Sequence, residues 1–305
     1  MAESRQVEVD GRELRLTNLD KVLYPQAGFS KGEVVDYYAR VATAIVPHLA
    51  GRALTLRRFP EGVDDTDAAF FEKRCPKHRP EWVATTRVLA GPRSGYIDYC
   101  VCDDLPTLVW MAQLAAIELH PSLSLGARHG QPTVLAFDLD PGPPADVLDC
   151  CRVALRLREV LDRVGLECFA KTSGSKGLQL YVPLNTKVTY EQTRPFAQAI
   201  AQLLAKQTPG EVIAKMGKKT LRKGKVLIDW YQNNERKTTI AVYSLRARER
   251  PTVSTPVTWE ELERAVERDD AGSLVFEAGD VLERIEKHGD LFAPVLELKQ
   301  KLPEP

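Results

Sequence analysis

The stretch 133-TVLAFDLDPGP-143 decides how this chain is read. Thr133 to Phe137 is strand-like, and Asp138 and Asp140 stand one residue apart just before Pro141-Gly142, a turn signal. Side chains two apart on a strand share a face, so both carboxylates point one way while Phe137 and Leu139 point the other. Carboxylates so close repel unless a cation or a proton lies between them. Taken alone, the pair is either part of a metal site or two aspartates capping a Pro-Gly turn.

Working outward, 147-VLDCCRVALRLREVLDRVG-165 carries apolar residues at 147, 151, 154, 157, 161 and 164 and predicts an amphipathic helix ending at Gly165. The segments 166-LECFAKT-172 and 178-LQLYVPL-184 predict two strands joined by a tight SGSKG turn, and a second helix covers about 190–206. A basic loop then leads to the strands 225-KVLIDWY-231 and 238-TTIAVYSL-245. Upstream, 105-LPTLVWMAQLAAIELH-120 is apolar nearly all round and reads as a buried helix. The middle of the chain is thus β-α-β-β-α-β-β, a helix-covered mixed sheet of α/β (α+β) class. The expected organisation is a single domain over 1–305: an N-terminal α/β module at 1–125, a catalytic core at 126–257 and C-terminal helices at 258–305.

Alternation in 225-KVLIDWY-231 puts Val226, Ile228 and Trp230 on one face and Leu227, Asp229 and Tyr231 on the other. A carboxylate within an apolar strand is costly unless it is paired or metal-bound, although at a sheet edge it would simply face solvent. With Asp138 and Asp140, Asp229 makes an all-oxygen set suited to Mg²⁺ or Mn²⁺, the donor chemistry of two-metal phosphoryl transfer. The turn 172-TSGSKGL-178 is a candidate anion cradle, in which Lys176 adds charge. It lacks the GxxxxGK[ST] pattern, and an ordinary hairpin is the plainer reading.

Lys and Arg total 42 against 42 Asp and Glu, so no whole-molecule attraction to nucleic acid is expected. The distribution is uneven, because 212–225 holds Lys215, Lys218, Lys219, Arg222, Lys223 and Lys225 without an acid. That run is either a solvated loop or a source of polyphosphate-neutralising charge beside the Asp229 strand. Six cysteines show no disulfide framework. Cys75, His78, Cys100 and Cys102 offer four soft ligands at spacing unusual for zinc, so buried or incidental thiols are the expectation. With no signal peptide or transmembrane-length apolar run, a cytoplasmic, non-membrane protein is expected.

Together, 16-LTNLDKVLYP-25, 69-AFFEK-73, FDLDPG, 171-KTSGSKGL-178, 225-KVLIDWYQN-233 and 237-KTTIAVYSLRAR-248 resemble the polymerase domain of bacterial DNA ligase D, in the archaeo-eukaryotic primase superfamily. The resemblance spans nearly the whole chain and implies an RRM-like palm. With no ligase or nuclease domain in the sequence, it suggests a stand-alone primase-polymerase. It further implies that Asp138, Asp140 and Asp229 hold two divalent ions, Mn²⁺ or Mg²⁺. Arg57, His120, Ser173, Lys176, Arg222, Gln232 and Arg246 would surround the incoming nucleotide, Phe70 and Phe71 would stack on its base or on the template, and Lys21 and Lys31 would grip the 5′-phosphate across a gap. The implied partners are gapped or primer-template DNA, NTPs or dNTPs, a separate ligase and repair or end-joining proteins. The implied protein is a monomer, active at the bacterial nucleoid in non-homologous end joining or base excision repair and preferring ribonucleotides. One departure stands out: the family's SGxKGLH motif ends here in Gln179, which keeps hydrogen bonding but carries no positive charge.

Two other readings stay open. A haloacid dehalogenase-type phosphatase also begins from a strand ending in DxD, but its motif needs Thr or Val where this chain has Gly142. A non-catalytic DNA-end-binding module would use the basic residues and leave the acids idle.

Overall fold

The structure, a computed structural model, describes residues 4–91, 95–215, 217 and 219–303. The chain divides into two compact units, each discontinuous in sequence. The first comprises Met1–Ala127, Thr238–Val253 and Glu277–Asp290, and the second Arg128–Lys237, Ser254–Phe276 and Leu291–Pro305.

The first unit opens with hairpin β1 (Ser4–Val9) and β2 (Arg12–Thr17), then the short pair β3 (Val22–Tyr24) and β4 (Phe29–Ser30). Helix α1 (Lys31–Leu49) starts at a capping box in which Ser30 and Glu33 satisfy each other's backbone N–H. Strands β5 (Arg52–Arg58), β6 (Phe70–Glu72), β7 (Thr85–Gly91) and β8 (Gly95–Cys100) form a sheet in the order β6-β5-β8-β7. Helix α2 (Leu105–Gln113) follows, capped by the Asp104 carboxylate on the Thr107 N–H, and then β9 (Ala116–Leu125), which pairs antiparallel with β5.

The expected buried helix over 105–120 therefore stops at Gln113, and its second half is a strand. An all-round apolar pattern does not distinguish a buried helix from a buried strand. The switch falls at Ala115, held at φ 56°. The expected strand 238–245 is also absent. Thr239 and Ala241 donate singly to Pro121 and Leu119, Tyr243 sits at φ 63°, and Ile240 to Leu245 are all buried. Burial of a coiled segment produced the strand-like composition there.

In the second unit, β10 (Val134–Pro141), α3 (Val147–Arg163), β11 (Phe169–Thr172), β12 (Leu178–Pro183) and α4 (Tyr190–Gln207) follow the expected order. Strands β13 (Val212–Ile213), β14 (Val226–Asp229) and β15 (Pro256–Val257) complete a sheet in the order β13-β14-β10-β12-β11-β15, and α5 (Trp259–Arg268) follows. Only β13-β14 is parallel, so the sheet is mixed. Leu135, Phe137 and Leu139 on one face of β10 join Leu157 and Leu161 of α3 and Ala197 and Ala201 of α4 in a closed core. That burial fixes the register, because a one-residue slip would turn the aspartates inward.

The cysteines depart from expectation. Cys75 and Cys100 form a disulfide that ties the segment after β6 to β8, leaving no zinc set, while Cys102, Cys150, Cys151 and Cys168 are buried free thiols. The two bonded residues lie 25 apart in sequence, and the fold that brings them together is not visible in Cys spacing. Among the described residues no helix is long and apolar enough to cross a membrane. Lys218 of the basic run lies outside the described residues.

Candidate active site

Strand register assembles a row of four polar residues across the second unit's sheet. Asp138 lies opposite Asp229 on one side and Gln179 on the other, and Gln179 lies opposite Lys171. Lys171, fully buried, donates from Nζ to Gln179 Oε1 at 2.7 Å and to Ser254 Oγ at 2.6 Å. Gln179 Nε2 in turn donates to Asp138 Oδ1 at 3.0 Å. Gln179, standing where the family motif carries histidine, is thus aimed at the first aspartate. Its amide passes the influence of a buried ammonium to that carboxylate.

Burial and the Asp140 charge push Asp138 up to about 7, against the Gln179 hydrogen bond, with Asp229 adding to the rise. Burial also raises Asp229, opposed by bonds from the Tyr231 N–H (2.9 Å) and Gln232 Nε2 (2.9 Å). Asp140 is the exposed member, its Oδ2 3.8 Å from Arg222 Nη1. Among the described residues no three carboxylate, imidazole or thiol groups converge as a finished metal-binding cluster. The chemistry of the set nevertheless fits a hard dication: three carboxylates on adjacent strands, two with proton affinity raised by burial, are what a bound cation relieves.

Two glycines place the loops around this row. A Cβ on Gly142 would lie 1.9 Å from the Arg222 carbonyl oxygen, so only glycine lets the basic loop close on the DPG turn. The loop is tied there by Gly142 N–H to Lys225 O and Gly224 N–H to Gly142 O. A Cβ on Gly177 would lie 2.0 Å from Leu139 O, so the SGSKG turn sits directly on β10. In that turn the Ser175 and Gly177 N–H groups both donate to Ser173 Oγ, and Lys176 is exposed. Those two donors are engaged within the turn and brace it. Sequence reasoning missed Lys171 and also Asn233, which is fully buried. The Asn233 amide exchanges two hydrogen bonds with the Ala136 backbone and so prolongs the β10–β14 pairing beyond Asp229. A polar residue just past a strand's last acid was the available signal.

The first unit holds the other predicted residues. Arg57 lies opposite Phe71 on β6 and Glu118 on β9, and Thr55 lies opposite His120. Arg57 stacks on Phe71 (5.3 Å) and Phe59 (4.8 Å), and Phe71 meets the His120 ring edge-on at 5.6 Å. Phe70 lies over Arg58, and both phenylalanines are exposed. Arg246 reaches the same carboxylate, Glu118, through Nε at 3.0 Å. Separately, Lys31 Nζ donates to Thr17 O at 2.7 Å and Lys21 pairs with Glu61 at 2.6 Å. Burial together with the Lys21 and Arg58 charges pushes Lys31 down to about 8.

The chain also resembles known proteins. Residues 30–292 match the family described as LigD, primase-polymerase domain. Over 92% of its length the chain is 42% identical to the multifunctional non-homologous end joining protein LigD of Mycolicibacterium smegmatis. Over 90% it is 32% identical to the bifunctional LigD of Bacillus subtilis. It spans only 36% and 43% of those relatives, respectively. Among solved structures, the polymerase domain from Mycobacterium tuberculosis ligase D in complex with DNA aligns at TM-score 0.84 and 41% identity, covering 93% of this chain and 98% of that one. The fold is that of a LigD polymerase domain. The chain belongs to the LigD primase-polymerase domain family.

Proposed function

We propose that this protein is a DNA-dependent nucleotidyltransferase that fills short gaps or extends ends during double-strand-break repair, adding ribonucleotides in preference to deoxyribonucleotides. The observation that carries the reading is the cross-strand row Lys171–Gln179–Asp138–Asp229 with Asp140 one pleat away. It concentrates carboxylates on one sheet face and fixes one of them by a buried hydrogen-bond chain. Asp138, Asp140 and Asp229 would hold two divalent ions, Mn²⁺ or Mg²⁺. When bound, these would supply the charge compensation that attack by a 3′-hydroxyl and departure of pyrophosphate require. Arg222 beside Asp140 adds fixed positive charge for the polyphosphate. In the first unit, Arg57, His120 and Arg246 would bind the nucleotide, the exposed Phe70 and Phe71 would stack on a base, and Lys21 and Lys31 would take a 5′-phosphate. The names of the relatives support an end-joining role alongside a ligase activity.

The test is gap filling on a duplex with a 5′-phosphorylated gap, comparing NTPs with dNTPs and Mn²⁺ with Mg²⁺. We expect template-directed extension, greatest with NTPs, that is lost in the D138A/D140A double variant. Extension surviving in that variant would sink the assignment. Phosphate release without primer or template would favour a phosphatase, and DNA binding without any turnover an end-binding module.

A further inference from the structure

We propose that Glu118 is the positioning residue of the nucleotide site: one buried carboxylate that sets the orientation of Arg57, His120 and Arg246 before any ligand arrives. The inference deepens the function proposed above, since it rests on assigning those three side chains to the nucleotide.

The geometry lies wholly within the first unit. Glu118 is only 1% exposed, whereas Arg57, Arg246 and His120 are 30%, 14% and 13% exposed, so the carboxylate lies beneath its donors and they reach solvent. Its two oxygens divide the work. Oε1 accepts from Arg246 Nε (3.0 Å) and from the Ala247 N–H (3.1 Å), which fixes the backbone and the side chain of one segment together. Tyr24 supports the same segment by donating to the Arg246 carbonyl at 3.0 Å. Oε2 receives Arg57 Nη1 (3.3 Å) and His120 Nε2 (3.0 Å). Because an ionised carboxylate only accepts, His120 carries its proton on Nε2 toward Glu118.

Charge separates this cluster from an ordinary internal ion pair. Two guanidinium groups oppose one carboxylate, leaving a surplus positive charge at the surface of the sheet. Burial alone would raise Glu118, but the His120 hydrogen bond and the Arg246, His120 and Arg57 charges outweigh it and hold the group well below the usual carboxylate range. Arg248 registers the surplus: burial and then Arg246 lower it, against Glu118, and Arg57 adds to the fall. A buried scaffold pair would be neutralised and covered. Here the unbalanced guanidiniums are capped by an exposed aromatic ring, Phe71, on the Arg57–His120 side. An aromatic platform over pre-aligned cations suits a ligand with a base at one end and phosphates at the other, and orientation before binding lowers the entropic cost of capturing it.

The experiment compares wild type, E118Q and E118D by calorimetric titration with ATP in MnCl₂, alongside primer-extension kinetics and binding to a 5′-phosphorylated gapped duplex. For E118Q we expect the ATP Kd and the nucleotide KM to rise roughly tenfold or more, the scale set by hydrogen bonds to charged groups. The rate at saturating nucleotide and the affinity for gapped DNA should stay within about threefold of wild type. E118D, which keeps the charge on a shorter arm, should lose less than E118Q. Because ATP binding is read without turnover, a wild type that binds ATP but never extends a primer refutes the proposed function while leaving this inference tested. An ATP Kd within about threefold of wild type in E118Q overturns it. So does a parallel fall in DNA affinity and saturated rate, or failure of both variants to fold, since each would make Glu118 part of the scaffold.

Discussion

Asp138 shows how much one position depends on its neighbours. Its proton is held up to about 7 by burial and by Asp140, against roughly 4 for a free aspartate. Between those values the folded chain binds more protons than the unfolded one, so the metal-free protein should lose stability from this group as pH rises through the window. Mn²⁺ competes with that proton, so its affinity should climb as pH passes about 7. The rise in Tm on adding Mn²⁺ should be larger at pH 8 than at pH 6, and equal shifts at both would contradict the coupling. Gln179→Ala removes the bridge between Lys171 and Asp138. It should weaken Mn²⁺ binding about tenfold, read by paramagnetic relaxation of water protons.

At the scale of elements, close approach and charge crowding make the predictions. Gly142→Ala places a methyl group within bonding range of the Arg222 carbonyl, so the DPG turn and the basic loop must part. The expected cost is roughly 1–3 kcal/mol in urea melts, with extension activity falling further than stability does. At the start of α1, Lys31 is pushed down to about 8. The burden of burying its charge is present below about 8 and relieved as pH rises toward the ordinary lysine value, whereas a bound phosphate needs the charged form. The advantage of a 5′-phosphate over a 5′-hydroxyl end should therefore shrink between pH 7 and 9, and a flat ratio would count against Lys31 as its ligand. Glu61 competes for Lys21, so Glu61→Gln should tighten binding to the phosphorylated end by a few fold in a fluorescence-anisotropy titration.

Across the whole molecule, formal net charge is zero, yet cations gather at Lys21/Lys31, around Glu118 and along 215–225. Binding to gapped DNA should therefore fall steeply with salt despite neutrality, and the K21A/K31A double variant should lower the log–log slope by up to about two. A slope unchanged by that variant would move the phosphate contacts elsewhere. The sequence by itself determined the strands that carry the acids between 133 and 229, because alternation in FDLDPG and VLIDWY can bury Phe137, Leu139 and Ile228 in only one register, and that register turns the aspartates together. It also carried the family, through motifs whose order spans the chain. It did not separate helix from strand over 105–120, where apolar residues on every side erase periodicity. Nor did it show the Cys75–Cys100 bond, the Lys171–Gln179–Asp138 chain or the gathering of Arg57, His120 and Arg246 on Glu118. These contacts join residues up to 128 positions apart, and only the folded chain, by strand pairing for Lys171, Gln179 and Asp138 and by the placing of a coiled segment for Arg246, brings their atoms within bonding range.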